Sequence, residues 1–264
     1  MLRKNWLVLG MLYLLTVGCD QLSLDTDGDP SGDAPSGMAV QFDGVDDYAT
    51  VNAAAAALAG TDFTIEMWFR LLSDPDNDDS NAEVIFSADQ DWDNQIQVYT
   101  SGTTTMGYHE WLSNSTQNFG FAVDSLLGTW HHLAIRKEAS QITLLIDGKP
   151  ADTITTTTAI QVASTLSLAM QRNNPTPAQF WNGEIDELRF WNVARSDAEI
   201  SQNMTTELDS TITLTLDSGL VGYWRFEAQV DLGIGGSGAN DIEDESANVN
   251  HMDLSGATLV AVQP

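Results

Sequence analysis

The chain has a single cysteine, Cys19, in 264 residues, so it cannot form an internal disulfide. It also lacks an N-terminal apolar run of membrane-spanning length. The apolar stretch there extends from Trp6 to Val17, whereas a transmembrane helix needs about 20 residues. Arg3 and Lys4 precede this stretch, and the pattern is typical of an export signal that is cleaved.

Basic residues are scarce as well. Lys and Arg number 10 against 38 Asp and Glu, which gives a net charge of −28. A surface of this sign repels nucleic acid and anionic lipid, so neither is an expected partner. The same surface attracts cations, and divalent cations most. Calcium binding and adaptation to a salty environment both explain the acidity, and composition does not separate them.

Signatures of nucleophilic and phosphate-binding enzymes are missing too. No Gly-x-Ser-x-Gly elbow occurs. The Gly-rich segment 233–238 lacks the lysine that follows in a phosphate-binding loop, so it is interpreted as a solvent-facing loop. His131 and His132 are adjacent in a predicted strand. Their side chains therefore point to opposite faces and cannot ligate one metal ion together.

The position of Cys19 is informative. Residues 16–19, TVGC, resemble the bacterial lipobox, in which the cysteine becomes the lipidated first residue of the mature protein. Residues 1–18 are then a lipoprotein signal peptide, and residues 19–37, rich in Asp, Gly, Pro and Ser, are a flexible tether. We expect an exported, membrane-anchored lipoprotein of the bacterial cell envelope, with inner and outer membrane left open. An ordinary signal peptide with an incidental cysteine is the alternative.

The remainder, residues 38–264, has the pattern of many short strands. In FTIEMWFR, residues 63–70, every second side chain from Phe63 onward is apolar, as in a strand with one buried face. QITLLIDGK, residues 141–149, is an apolar strand that ends in the tight-turn pair Asp-Gly. Similar segments lie at 84–86, 96–99, 166–170, 220–226 and 254–260.

Helix signals are few. Ser196 with Glu199 three residues later forms a capping box, which predicts a short helix over 196–204. Many short strands with turn signals between them and one short helix favour an all-β fold, a two-sheet antiparallel jelly-roll sandwich.

Four segments in order resemble signatures of the laminin-G-like, concanavalin A-like jelly-roll domains of bacterial surface proteins. They are FDGVDDYATV (42–51), FTIEMWFR (63–70), GTWHHLAIRKEASQITLLIDGK (128–149) and FWNGEIDELRFWNVARSDAEI (180–200). Two later segments, 219–231 and 241–260, look like a strand and loop pair that often precedes FDG in that family. The resemblance implies a jelly roll whose first and last strands are neighbours. It implies less about function, because this fold hosts lectins, adhesion modules and enzymes.

The segment GEIDELRFWN, residues 183–192, bears on the enzyme alternative. Retaining glycosidases of the same fold carry their two catalytic carboxylates on one strand, in the pattern Glu-x-Asp-x-Glu, facing one cleft. Strict alternation places Glu184 and Asp186 on one face, followed on that face by Leu188 and Phe190, and places Glu187 on the other face. The third carboxylate is then missing, which argues against hydrolysis unless a bulge realigns Glu187.

The resemblance also implies calcium as a cofactor, because related domains hold a structural calcium ion near their first and last strands. Asp43 with Asp186 is the candidate site, and Asp46 and Asp47 are alternates. The other interpretation of Asp186 is that it pairs with an arginine or caps a loop.

Trp92, Tyr108 and Trp111 lie near acids and amides in predicted loop or rim segments, as in sites where aromatic rings stack on sugars. Filling the core is the alternative role. We expect a surface protein that binds a glycan or an extracellular protein, without catalytic residues. A glycoside hydrolase or polysaccharide lyase, and a structural envelope protein, are the alternatives.

Overall fold

The computed structural model describes residues 35–52, 62–73, 83–89, 96–101, 105–110, 115–155, 165–173, 176–208, 219–236 and 238–262. All of these belong to one compact unit. The predicted signal peptide, Cys19 and nearly all of the predicted tether lie outside the described residues. Within the described part of the chain, no helix has the length and hydropathy needed to span a bilayer.

The first nine strands are β1 (Met38–Asp43), β2 (Tyr48–Asn52), β3 (Phe63–Leu71), β4 (Glu83–Asp89), β5 (Ile96–Ser101), β6 (Thr105–Glu110), β7 (Ser115–Ala122), β8 (Trp130–Glu138) and β9 (Gln141–Ile146). The next nine are β10 (Lys149–Thr155), β11 (Thr165–Leu168), β12 (Gln171–Asn173), β13 (Thr176–Ala178), β14 (Asn182–Trp191), β15 (Leu220–Trp224), β16 (Asp241–Ile242), β17 (Met252–Ser255) and β18 (Thr258–Ala261). The helix α1 spans Asp197–Asn203, and a 3-10 turn spans Asp124–Leu126.

Two large antiparallel sheets form the sandwich, and β12 and β13 pair in a separate two-stranded sheet. Sheet 1 has the order β10-β9-β8-β3-β14-β1-β18, with β15 also paired to β14. Sheet 2 has the order β16-β17-β2-β11-β4-β5-β6-β7. The first strand β1 pairs with the last strand β18, as the family resemblance implies. The prediction of a two-sheet antiparallel jelly roll is confirmed.

The hydrophobic core lies between the sheets because each strand points every second side chain inward. In β3 the inner residues Phe63, Ile65, Met67 and Phe69 are at most 1 % exposed. They pack in one cluster with inner residues of sheet 2, such as those of β2 and β11. The predicted alternation over this strand is confirmed.

The local signals are confirmed as well. Ser196 caps α1 in a capping box with Glu199, and Ile200 anchors the helix against sheet 1. Asp147 and Gly148 both have positive φ, 50° and 68°, as the tight turn between β9 and β10 requires. The predicted single strand over 254–260 is wrong. Gly256, with φ 80°, separates β17 in sheet 2 from β18 in sheet 1.

Candidate functional site

The strand that carries GEIDELRFWN contains a β-bulge. Between β14 and β3 the register shifts after the pair Asp186–Trp68 and resumes at Arg189–Glu66. Glu187 lies in the bulge with φ 50°. The extra residue reverses the alternation, so Leu188 joins the core between the sheets.

This corrects two predictions. Leu188 and Phe190 do not share a face with Glu184 and Asp186, because both belong to the inner cluster. The Glu187 carboxylate does not point to the opposite face. It meets Arg189, which lies opposite Glu66 and therefore on the outer face. All three carboxylates thus lie on the outer side of sheet 1.

Two of these carboxylates are held by arginine. Glu184 is 3 % exposed and accepts hydrogen bonds from Arg70 Nε at 2.8 Å and from Gln41 Nε2 at 3.1 Å. Glu187 accepts from Arg189 Nη2 and from the Tyr223 hydroxyl, each at 2.6 Å. Burial, and then the charge of Glu187, raise the pKa of the Tyr223 phenol, so it acts as a hydrogen-bond donor.

The Arg189 guanidinium connects the bulge to the last residue of α1 and to the segment that follows it. Its Nη1 donates to the Asn203 carbonyl at 2.8 Å and its Nη2 to the Thr206 carbonyl at 2.7 Å. Arg189 is 1 % exposed. Glu187 and Arg189 therefore fasten this segment over the outer face of sheet 1, which is a structural use of the carboxylate.

Asp186 has no arginine partner among the described residues. It is 1 % exposed, and its Oδ1 accepts a hydrogen bond from the Glu187 backbone amide at 2.8 Å. Burial, followed by the charge of Glu187, raises the pKa of the Asp186 carboxyl to about 9. The side chain is therefore protonated at neutral pH.

The space beside Glu187 is small. A pocket of about 210 Å³ is lined by Pro35, Ser36, Trp68, Glu187 and the segment 204–207. Ligand pockets usually measure roughly 300–1,000 Å³, and a polysaccharide-cleaving enzyme needs a cleft that holds several sugar rings. Among the described residues, the pocket beside Glu187 is not a cleft of that size.

Asp43, Asp46 and Asp47 come together in the turn between β1 and β2. One carboxylate oxygen from each lies within 4.8 Å of the others. Asp43 Oδ1 accepts from the Val45 amide at 2.8 Å, and this hydrogen bond chiefly lowers the pKa of the Asp43 carboxyl. Burial, then the charge of Asp43, raises the pKa of Asp47.

Asp186 is remote from this turn. Asp43 lies opposite Asn182 across the β1–β14 ladder, and Asp186 follows four residues later on β14. At about 3.3 Å per residue the two backbone positions are about 13 Å apart. The structure does not bring Asp43 and Asp186 together, which corrects the expectation of a shared calcium site. It brings Asp43 together with the two alternates instead.

Of the three aromatic residues predicted to bind a sugar, the structure describes the position of one. Trp92 and Trp111 lie outside the described residues, and Tyr108 is on β6, opposite Val98 of β5. The ends of β4, β5, β6 and β7 that flank the segments with Trp92 and Trp111 are neighbours at the same end of these strands. Ile96 pairs with Ala88 and with Glu110, and Glu110 pairs with Ser115. The described residues that flank segments 90–95 and 111–114 in the sequence therefore lie at the same end of these four strands.

Residues 43–201 match a family model described as the concanavalin A-like lectin/glucanases superfamily. The match extends over more than half of the chain, and the chain belongs to this family. Among curated protein sequences, none matches the chain.

Solved structures share the fold. A candidate carbohydrate-binding protein from Bacteroides ovatus superposes with a TM-score of 0.62 at 14% identity, covering 87% of this chain and 61% of that one. The NanB sialidase from Streptococcus pneumoniae superposes with a TM-score of 0.50 at 16% identity, covering 66% of this chain and 29% of the sialidase. The receptor-binding domain of botulinum neurotoxin mosaic serotype C/D gives 0.50 at 12% identity, covering 61% and 40%. At these identities the similarity shows the fold alone.

Proposed function

We propose that the chain is a carbohydrate-binding module of an exported, lipid-anchored surface protein, and that it binds its glycan without cleaving it. The observation that supports the proposal is that Ala88, Ile96, Glu110 and Ser115 are ladder neighbours at one end of strands β4, β5, β6 and β7. In the sequence, these strand ends flank the segments that contain Trp92 and Trp111. Membership of a lectin and glucanase superfamily supports a sugar as the ligand.

Aromatic side chains carry the proposed contact. Rings offer a large, rigid apolar face and lose little conformational entropy on binding. Asp91, Asp93 and Asn94 flank Trp92 in the sequence, and their oxygens suit the hydroxyl groups of a sugar. Trp92, Tyr108 and Trp111 are therefore the residues proposed to bind the ligand.

The hydrolase alternative is disfavoured by the partners of the three carboxylates. Glu184 and Glu187 each accept a hydrogen bond from a buried or half-buried arginine. A retaining hydrolase needs a nucleophile and an acid about 5–5.5 Å apart on a substrate cleft. The pocket of about 210 Å³ beside Glu187 is too small for a polysaccharide. This supports a binding function for the fold.

Calcium at the Asp43, Asp46 and Asp47 turn is part of the proposal. Three carboxylates within 4.8 Å repel one another in the absence of a cation. Calcium accepts oxygen ligands in flexible geometry. The proposed role is to stabilise the turn between the first two strands.

A glycan array tests the proposal. Wild type, Trp92→Ala and Trp111→Ala are compared, with Val249→Ala, which truncates an exposed apolar side chain elsewhere, as the control. We expect the control to match wild type and each tryptophan variant to lose at least about 10-fold in affinity, equivalent to 1.4 kcal/mol. Full binding by both tryptophan variants would place the site elsewhere, and an array without hits for folded wild type would favour a protein ligand or a structural role.

A further inference from the structure

The strands β16 and β17, at the edge of sheet 2, place two acidic residues directly opposite each other. Asp241 pairs with Asp253 in the antiparallel ladder. Side chains of such a pair lie on the same face, with Cβ atoms about 4.5–5.5 Å apart, and like charges in these positions are destabilising. Asp241 is 0 % exposed. The fold therefore holds two carboxyl groups together and buries one of them completely.

The loop that precedes β16 folds over these groups. The Leu232 amide donates to Asp241 Oδ2 at 2.6 Å. Gly235, with φ 63°, passes so close to Asp253 that a Cβ atom there would lie 1.8 Å from Asp253 Oδ2. A side chain at this positive φ would be strained and would displace the Asp253 carboxylate. The described residues of the Gly-rich segment are exposed apart from the half-buried Ile234, so the segment is a solvent-facing loop, as interpreted above. Its backbone also lies against the half-buried Asp253 and the fully buried Asp241.

Two side-chain oxygen atoms beside this acidic pair have no hydrogen-bond partner. Asp241 Oδ1 is buried and unpartnered. Asn240 uses its Nδ2 to donate to Asp253 Oδ1 at 2.7 Å and to the Leu254 carbonyl at 3.0 Å, and its own Oδ1 is buried and unpartnered as well. Buried acceptors in native proteins are almost always satisfied by a donor, water or ion.

No positive side chain compensates the pair. Within the described residues, no lysine, arginine or histidine lies within ion-pair distance of Asp241 or Asp253. Burial, and then the charge of Asp241, raises the pKa of the Asp253 carboxyl, while hydrogen bonds from the Gly236 amide and from Asn240 lower it. The pair thus offers oxygen atoms and negative charge that no basic side chain of the described residues neutralises.

We propose that Asp241, Asp253 and Asn240 form a calcium site that fastens the loop 231–236 to the β16–β17 pair. All three side chains offer oxygen, and Ca²⁺ takes six to eight oxygen ligands from carboxylates, amides, backbone carbonyls and water. The site offers no thiolate or imidazole ligand of the kind that zinc prefers. It is separate from the Asp43 turn, and it does not depend on carbohydrate binding.

The bound ion would fasten the last strand of sheet 2. β16 has only two residues, Asp241 and Ile242, and on its outer side a single bridge joins Asp241 to Val230, so few ladder hydrogen bonds hold it. Extracellular calcium modules bind with dissociation constants of roughly 10⁻⁴–10⁻³ M. In an exported chain, ambient calcium at such concentrations would hold the loop on this strand pair.

Calcium titration of the chelator-stripped chain tests the proposal. Bound Ca²⁺ per chain is counted by equilibrium dialysis for wild type, Asp253→Asn and the matched control Asp231→Asn. Asp231 is exposed in the same loop, so the control removes one charge without removing a proposed ligand. We expect Asp253→Asn to bind one Ca²⁺ fewer than wild type, and Asp231→Asn to bind as many as wild type.

The melting temperature gives a second readout. At about 100-fold excess of Ca²⁺ over the dissociation constant, we expect a rise of roughly 5–10 °C in wild type, which is reduced in Asp253→Asn and in Asp241→Asn. We expect Asp43→Asn to keep the calcium bound by Asp241 and Asp253. This result would distinguish the site on β16 and β17 from the turn between β1 and β2. Equal Ca²⁺ counts in wild type and Asp253→Asn would overturn the proposal. A second result would also overturn it: after chelation, Asp253→Asn is more stable than wild type, and calcium changes the melting temperature of neither protein. In that case a proton shared by the two carboxyl groups would explain the pair.

Discussion

The surroundings of Asp186 change the pKa of its carboxyl group. It lies in the middle of sheet 1, 1 % exposed, beside the carboxylate of Glu187. The folded chain binds the Asp186 proton more tightly than the unfolded chain does, because the pKa rises from 3.8 to about 9. Between these values each increase in pH favours unfolding.

We therefore predict that Asp186→Asn flattens the pH dependence of stability. The amide keeps an oxygen that can accept from the Glu187 backbone and has no proton to lose. The wild-type free energy of unfolding should fall between pH 5 and pH 9, by at most about 1.4 kcal/mol per pH unit from this group. The free energy of unfolding of the Asp186→Asn variant should fall less over the same pH range. Urea denaturation at several pH values measures the difference, with Asp231→Asn as an exposed control, and parallel wild-type and Asp186→Asn curves would contradict the prediction.

Arg189 has a different role, since it neutralises Glu187 and fastens the segment after α1. Arg189→Met leaves the Glu187 carboxylate with the Tyr223 hydroxyl and with Arg225 Nε at 3.5 Å. Removing one partner of a buried ion pair costs about 3–5 kcal/mol, and we expect about 3 kcal/mol because Arg225 is still close.

The matched control is Arg136→Met. Arg136 pairs with Asp197, whose side chain is 50% exposed, and such surface pairs contribute about 0–1 kcal/mol. Chemical denaturation of both variants provides the measurement. Similar losses in the two variants would show that the Glu187–Arg189 pair is not the attachment point described above.

At the scale of elements, the capping box of α1 makes a quantitative prediction. Ser196 Oγ accepts from the Glu199 amide, and the Glu199 carboxylate accepts from the Ser196 amide at 2.8 Å. Ser196→Ala should lower the free energy of unfolding by about 1 kcal/mol, within a range of 0.5–2.

Ser201→Ala in the same helix is the control. Ser201 is exposed, and alanine has the higher helix propensity, so we expect no loss or a slight gain in stability. Equal losses in Ser196→Ala and Ser201→Ala, measured by urea denaturation, would mean that the cap does not stabilise the native state.

Elements with a local signal could be predicted from the sequence. The alternation over β3, the Asp147-Gly148 turn and the Ser196 cap each depend on neighbouring residues, and each is found in the structure. The bulge in β14 has no such signal. A non-glycine residue, Glu187, adopts the positive φ there because its carboxylate is held by residues distant in the sequence, such as Tyr223.

The candidate sites also divide into those that a local sequence signal predicts and those that depend on residues distant in the sequence. The Asp43, Asp46 and Asp47 cluster is local to one turn, so its members could be named in advance. The separation of Asp43 from Asp186 follows from the register of β1 on β14, which alternation alone does not specify. The pairing of Asp241 with Asp253 likewise joins residues on either side of a loop, and the Gly-rich segment shows no metal-binding motif.

At the scale of the whole molecule, the proposed membrane anchoring depends on Cys19. A chain of net charge −28 is repelled by anionic membranes, so acyl chains are the proposed source of membrane affinity, at about 0.8 kcal/mol per buried CH₂. We predict that Cys19→Ser releases the protein from the membrane fraction or leaves the precursor uncleaved. Detergent phase partitioning of whole cells measures this, and normal cleavage with unchanged partitioning would contradict lipidation.

The central claim is that the chain binds a carbohydrate and leaves it intact. The most direct measurement is an equilibrium titration of the purified chain with each glycan bound on the array, followed by chromatography of the glycan recovered from the cell. The account predicts saturable binding and a glycan of unchanged length. Absence of saturable binding to every glycan, or a shortened product that disappears in Glu184→Gln or Glu187→Gln, would contradict it.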